Sequence, residues 1–157
     1  MNKKSIIFGI IGIFIGVFLY NALTSTKKEE IKNAPHWVSL KYAQDKAIET
    51  GKLVLVDVWE TGCKFCKAME REVYPDSTVR HVLDANYIPV KVNGNSDEFL
   101  TFRGKTMTSR EFAGKFGVYA YPTTLILDTS GNLLKKKTGF MGVDDFRRFL
   151  YTEPKNL

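Results

Sequence analysis

The sequence contains only two cysteines and two histidines among 157 residues. A zinc site needs four ligands at characteristic spacings, whereas His36 and His81 lie far from the cysteines and from each other. With Cys63 and Cys66 as the only cysteines, no cysteine follows the N-terminal apolar run at a position where a lipid anchor could be attached. We therefore expect no metal site and no lipoprotein anchor.

Charge is absent from one long stretch near the N-terminus. Ser5 to Leu23 holds 19 residues without a charged side chain. A membrane-spanning helix needs about 20 apolar residues, while the core of a signal peptide has about 7–15. We interpret residues 1–23 as an N-terminal membrane anchor or signal segment, residues 24–35 as a linker and residues 36–157 as a folded domain. The short basic start favours a single-pass protein of the inner (cytoplasmic) membrane with its domain on the periplasmic side.

The positive charge is not concentrated in one region. The net charge is +6, and the first thirty residues contribute four lysines against two glutamates. The remaining excess is spread thinly, and no basic strip is interleaved with aromatic residues. The sequence therefore gives no reason to expect a nucleic-acid partner.

The stretch from Leu53 to Lys67 organises the chain. Leu53 to Val58 is aliphatic except for Asp57, which predicts a strand buried on both faces that carries one carboxylate. Cys63 and Cys66 follow at the spacing C-x-x-C and are expected to open a helix, where the positive end of the dipole favours the Cys63 thiolate. This spacing is typical of a redox pair in which Cys63 attacks and Cys66 resolves. A static disulfide would close too small a loop to stabilise the fold much.

Two motifs together resemble thioredoxin: Val56-Asp57-Val58-Trp59 before the C-x-x-C pair, and Tyr121-Pro122-Thr123-Thr124 further on. The resemblance covers roughly Trp37 to Tyr151. The run from Glu70 to Tyr74 and the Gly139-Phe140 pair are closer to extracytoplasmic relatives, the C-terminal domain of DsbD and the SoxW-type thioredoxins. The resemblance implies an α/β thioredoxin fold, a central mixed β-sheet flanked by helices, and no cofactor beyond the Cys63–Cys66 disulfide.

The resemblance also implies roles for individual residues. Asp57 would transfer the proton of Cys66, with its pKa raised by desolvation, and Lys91 would support Asp57. Trp59 would pack under the active-site helix. Pro122 would follow a cis peptide bond, and Tyr121 would pair with substrate backbone. The expected substrate-facing rim departs from thioredoxin at three further positions: Gly62, Lys64 and Phe65.

These features predict a membrane-tethered, extracytoplasmic thiol–disulfide oxidoreductase that acts mainly as a reductase. Its partners would be disulfide-containing exported proteins and a membrane electron-donor protein, with the membrane itself reached through the N-terminal helix. One alternative is a dithiol oxidase or isomerase that uses the same residues in the other direction. Another, from a different class, is a copper- or haem-handling module that binds through the two thiolates.

Several local patterns predict the remaining elements. A helix should begin after Ser39 and end at Gly51, and a strand at Tyr87–Val92 should run parallel to the first. Phe99 and Phe102 should form a local core within a small hairpin. Thr108-x-x-Glu111 is a capping box for a helix that ends at Gly117. The lysine run 135–137 reads as a solvated strand edge.

Overall fold

The computed structural model describes residues 3–24 and 31–151, with the side chains of residues 7–21 in the first range. The chain divides into two compact units; the first contains α1 (Lys3–Thr24), and the second begins at Ile31. None of the described helices combines the length and the apolar character needed to cross a membrane. The anchor predicted for residues 1–23 is therefore not confirmed. Residues 1–2 of the predicted anchor, 25–30 of the predicted linker and 152–157 of the predicted domain lie outside the described residues.

The second unit contains both helices and strands. In chain order they are α2 (Leu40–Thr50), β1 (Leu53–Trp59), α3 (Lys64–Ala68), a π-helical turn (Met69–Val73), α4 (Ser77–Asn86), β2 (Tyr87–Asn93), β3 (Phe99–Phe102), β4 (Lys105–Thr108), α5 (Ser109–Lys115), β5 (Thr123–Leu127), β6 (Leu133–Thr138) and α6 (Val143–Tyr151).

Four strands form one mixed sheet in the order β2-β1-β5-β6. β1 runs parallel to β2 and antiparallel to β5, and β6 runs antiparallel to β5. β3 and β4 form a separate hairpin. The buried central strand, its parallel neighbour and the hairpin are confirmed, and the predicted α/β thioredoxin-type sheet is present.

The pleat of β1 assigns its side chains to two different cores. Val54, Val56 and Val58 face a core shared with α2, α5 and the hairpin. Leu55 faces the opposite core, built with the π-helical turn, α4 and α6. Asp57 has the same parity as Leu55 and is only 1% exposed. Because successive strand residues point to opposite faces, the carboxylate lies on the side of the sheet that carries the π-helical turn.

Helix caps follow the local sequence. Ser39 caps α2 at its N-terminus, and Gly51 ends it with a left-handed φ of 73°. Thr108 and Glu111 form the predicted capping box of α5. The predicted end of α2 at Gly51 and the predicted capping box are confirmed, and each cap satisfies backbone groups that the helix itself leaves unpaired.

One prediction at the surface is wrong in part, and another is confirmed for most of its length, since the lysine run 135–137 lies on the edge strand β6 with Lys136 and Lys137 exposed. Phe99 is 77% exposed, and only Phe102 is buried, where its ring contacts Phe112 and Phe116. Strand alternation places Phe99 and Phe102 on opposite faces of β3. In the lysine run, the Lys135 and Lys136 ammonium groups donate to backbone carbonyl oxygens of Phe149 and Phe116, at 2.9 and 3.1 Å. These two lysines connect strand β6 to neighbouring elements.

Candidate active site

The two cysteines are joined in a disulfide. Cys63 is the N-cap of α3 and is half-buried, whereas Cys66 is 5% exposed. The backbone N–H of Cys66 donates to Cys63 Sγ at 3.0 Å, and that of Lys67 donates to the Cys63 carbonyl at 3.2 Å. Cys63 is thus the more accessible sulfur of the pair and lies at the end of the helix where backbone N–H groups stabilise negative charge.

A short turn and an unusual helix place the pair. β1 ends at Trp59, and Gly62 adopts a φ of 86°, which favours glycine, just before Cys63. After α3 the backbone widens into the π-helical turn, where Tyr74 N–H donates to the Met69 carbonyl at 3.0 Å. Single π turns inside helices are frequent at functional sites.

A cavity of about 190 Å³ opens beside the disulfide. Its lining includes Cys63, Cys66, Trp59, Glu70 and Lys91. Lys91 Nζ lies 3.0 Å from Glu70 Oε1 and 5.2 Å from the centroid of the Trp59 ring. The predicted support lysine is therefore near the sulfurs, and its ion pair is with Glu70.

Asp57 is enclosed by its neighbours in the sheet. In the strand register its Cα partners are Lys91 on β2 and Thr124 on β5. Burial raises the pKa of Asp57 to about 6, while Lys91 and Tyr74 lower it and Glu70 raises it. The carboxyl group is therefore able to gain or lose a proton close to neutral pH, as the sequence predicts for a buried acid. Its role in proton transfer stays a prediction.

The Tyr121–Pro122 peptide bond is cis. The Pro122 carbonyl accepts a hydrogen bond from Gly139 N–H at 2.8 Å. The next residue, Phe140, has its ring 6.3 Å from the ring of Phe65, which lies between the two cysteines. The Gly139–Phe140 turn therefore connects the proline loop to the helix that carries the disulfide.

Tyr121 lines a second cavity. This cavity of about 440 Å³ is lined by Glu60, Gly94, Arg110 and Tyr121, among others. Glu60 also lines the cavity beside the disulfide. Burial and then Glu60 raise the pKa of Tyr121, and Arg110 lowers it. Glu60 therefore connects the surroundings of Tyr121 with those of the sulfurs.

The remaining rim residues predicted from the sequence are solvent-accessible. Gly62 and Lys64 are exposed, and the Phe65 ring is 65% exposed. Their position beside the disulfide is compatible with contact to a partner protein, although their binding role stays a prediction.

Three residues that sequence reasoning missed complete the surroundings of the site. Tyr74 and Thr124 reach the neighbourhood of Asp57, and Gly94 packs against Tyr121. Thr124 could have been found from strand alternation once β1 and β5 were paired. Tyr74 could not, because a regular helix would have placed it elsewhere.

The described residues contain no group of three or more histidine, cysteine, aspartate or glutamate side chains that could hold a metal ion. The cysteine pair is the redox-capable group that the structure displays.

A family model described as a thioredoxin-like domain matches residues 40–152. This range includes the cysteine pair, Asp57 and the cis-proline loop. The chain belongs to the thioredoxin-like domain family.

Two kinds of curated relative are similar to the chain. The thiol-disulfide oxidoreductase ResA of Bacillus thuringiensis subsp. konkukian is 28% identical, over 96% of this chain and 97% of that protein. The thiol:disulfide interchange protein DsbD of Yersinia pestis is 29% identical, over 66% of this chain. The alignment with DsbD spans 16% of the length of that larger protein.

Solved structures have the same fold. A thioredoxin from Thermus thermophilus has a TM-score of 0.59 at 21% identity, covering 75% of this chain and 85% of that one. The oxidised C-terminal domain of DsbD from Neisseria meningitidis has a TM-score of 0.54 at 21% identity, covering 70% and 89%.

Asp57→Asn should change how stability depends on pH. The folded state raises the pKa of Asp57 from 3.8 to about 6, so folding favours the protonated form. The stability of the wild type is therefore greatest below pH 4 with respect to this group and falls as the pH rises through 6. The amide cannot ionise, so the stability of the variant relative to wild type should grow by on the order of 3 kcal/mol across this range. Urea unfolding of the oxidised proteins between pH 4 and 7.5 measures it; a constant difference would contradict the assignment.

Gly94→Ala should displace Tyr121. A Cβ atom at Gly94 would lie 2.7 Å from both the Tyr121 ring and Val58 Cγ1. We expect a loss of about 1–3 kcal/mol in the free energy of unfolding, as is typical of overpacking. Gly114→Ala is the matched control, since a Cβ atom there meets no atom within 4 Å. Thermal unfolding of both variants checks this, and equal melting temperatures would rule out the close packing of Tyr121 on Gly94.

Proposed function

We propose that the protein is a thiol–disulfide oxidoreductase that reduces disulfides in exported proteins by exchange at Cys63 and Cys66. The observation that carries this proposal is the disulfide itself, with one accessible and one shielded sulfur, in a domain that also buries the carboxyl group of Asp57. The names of the ResA and DsbD relatives support the same class of reaction.

The reaction begins from the dithiol form. The Cys63 thiolate attacks one sulfur of the target disulfide, forms a mixed disulfide and releases the other target sulfur as a thiolate, which takes a proton from water. Cys66 then loses its proton to the Asp57 carboxylate and attacks Cys63 Sγ, which breaks the mixed disulfide and releases the second target sulfur as a thiolate. This thiolate is protonated by Asp57, which returns to its carboxylate form. The target leaves as a dithiol. The two electrons that it has gained come from the two cysteines, which are now oxidised to the Cys63–Cys66 disulfide.

Target chains would dock along the rim of the site. The exposed Phe65 ring and the neighbouring Phe140 ring offer apolar contact beside Cys63, and Lys64 adds positive charge. On the proline side, the backbone at Tyr121 would pair with the target in β fashion. Trp59 lines the same cavity as Cys66.

Electrons would come from a membrane electron-donor protein, with the domain held on the periplasmic side of the cytoplasmic membrane by residues 1–23. This part of the proposal rests on the uncharged run from Ser5 to Leu23 and on the resemblance to extracytoplasmic thioredoxins. Cell fractionation of the full chain, with and without residues 1–23, tests it. Recovery of the intact protein in the soluble cytoplasmic fraction would overturn it.

Cys66→Ala should trap partner proteins. Without the resolving thiol, the mixed disulfide at Cys63 cannot be released by the intramolecular step. Non-reducing gels and mass spectrometry should therefore reveal covalent adducts that disappear on treatment with a reductant.

Cys63→Ala is the matched control and should trap far fewer partners, because Cys66 is 5% exposed. Equal trapping by the two variants would reverse the assigned roles, and trapping by neither would count against exchange with proteins.

The direction of electron flow can be measured directly. Glutathione redox titration of the Cys63–Cys66 couple should give a potential nearer to about −270 mV, the value for thioredoxin, than to about −120 mV, the value for the oxidant DsbA. A result close to the second value would favour the oxidase or isomerase alternative. Tight copper binding without disulfide reduction would favour a metal-handling module.

A further inference from the structure

Three buried polar atoms, one of them an oxygen of the Asp57 carboxylate, lack ordinary hydrogen bonds. They are Asp57 Oδ1, Tyr74 Oη and Thr124 Oγ1, and within the described residues none has a partner at hydrogen-bonding distance and angle. Leaving such a group unpaired costs about 1–3 kcal/mol, so native proteins seldom bury one without a reason. Three of them in one polar cluster call for a common explanation.

The backbone brings these side chains together from three elements. Thr124 on β5 is the Cα partner of Asp57 on β1, so the two side chains share a face of the sheet. Tyr74 follows the π-helical turn, and its ring is packed edge-on against Trp37 and Phe146 at centroid distances of 5.1 and 5.4 Å. Since the aromatic neighbours fix the ring, they also fix the direction in which the hydroxyl points.

The pKa shifts of Tyr74 and Asp57 indicate which group donates a hydrogen bond to which. Burial and then Asp57 raise the pKa of Tyr74 well above its ordinary value, whereas Thr124 lowers it. In turn, Tyr74 lowers the pKa of Asp57. These signs correspond to a Thr124 hydroxyl that donates toward the Tyr74 oxygen, and a Tyr74 hydroxyl that donates toward the ionised carboxylate.

We propose that Tyr74 is a positioning residue of the active site: its hydroxyl, backed by that of Thr124, orients the Asp57 carboxylate and stabilises its ionised form. The inference rests on the proposed function for its consequence in catalysis. Through Asp57, Tyr74 then sets the pH at which the Cys66 proton can be accepted.

Two charged groups also face Asp57, Lys91 from β2 and Glu70 from the π-helical turn. They form an ion pair with each other, and their influences on the carboxylate have opposite signs. Both are partly exposed, so dissolved salt screens them. The Tyr74 hydroxyl is uncharged and buried, and its effect on Asp57 should persist at high salt.

Tyr74→Phe tests the inference on the full chain in its oxidised form. The proteins are labelled with ¹³C at the aspartate carboxyl carbons, and the Asp57 signal is identified by its loss in Asp57→Asn. We expect the ionisation constant of Asp57 to fall about tenfold or more in the variant, which raises the pKa of Asp57. The reason is that a hydrogen-bond donor to the charged form is lost. The shift should be the same at 50 mM and 500 mM salt.

Two further variants separate this role from mere packing. Tyr87→Phe removes another buried hydroxyl, one that donates to the Leu150 carbonyl at 2.6 Å, and should leave the Asp57 titration unchanged. Thr124→Val should shift it less than Tyr74→Phe. Combined with Tyr74→Phe it should add little, because Thr124 acts through Tyr74.

The carboxyl titration needs no substrate, so its result is independent of whether the protein reduces disulfides. An unchanged Asp57 pKa in Tyr74→Phe, or an equal shift in Tyr87→Phe, would overturn the inference. The rate of the resolving step can be measured as the release of a model thiol from its mixed disulfide with Cys63. The pH profile of this rate should shift to higher pH in Tyr74→Phe, as the Asp57 titration does. A shifted titration with an unmoved rate profile would support the contact and contradict the proton role of Asp57.

Discussion

The burial of one carboxylate in the middle of an apolar sheet is the constraint on which the site depends. Asp57 lies on the central strand, with a strand on either side and the π-helical turn on the same face. An ionised carboxylate in such a place costs several kcal/mol unless nearby groups stabilise it. Lys91, Tyr74 and Thr124, each from a different element, lie near the carboxylate and influence its ionisation directly or through one another. The outcome is an acid with a pKa near neutral pH on the strand that leads to the disulfide.

The same constraint explains why the cavity beside the sulfurs has mixed polarity. Lys91 is placed by Glu70 and by the rings of Trp37 and Trp59, so its charge stays near the carboxylate without pairing with it. A direct ion pair would lower the pKa of Asp57 further and make it a poorer proton acceptor at neutral pH. Because Lys91 pairs with Glu70 and not with Asp57, the carboxyl group of Asp57 keeps a pKa at which it can exchange a proton near neutral pH.

Much of this arrangement could be predicted from the sequence. The aliphatic run around Asp57, the C-x-x-C pair and the Tyr121-Pro122 motif are local signals, and each appears where strand, helix and loop were expected. What escaped prediction depends on long-range contact. Tyr74 reaches Asp57 only because the helix widens by one residue, and Gly94 matters only because Tyr121 packs on it. Phe99 was misjudged since its exposure depends on which face of the hairpin meets the core.

The π-helical turn has a consequence for how this chain can vary in length. Its extra residue lets the main chain bond from Tyr74 back to Met69, five positions earlier. Removing any one residue between Cys66 and Pro75 would restore a regular helix and rotate everything beyond the deletion by about 100°, the angle per residue of an α-helix. The Tyr74 side chain would then point away from Asp57, while the two cysteines would keep their positions. The number of residues between Cys66 and Tyr74 is thus fixed by the widened turn.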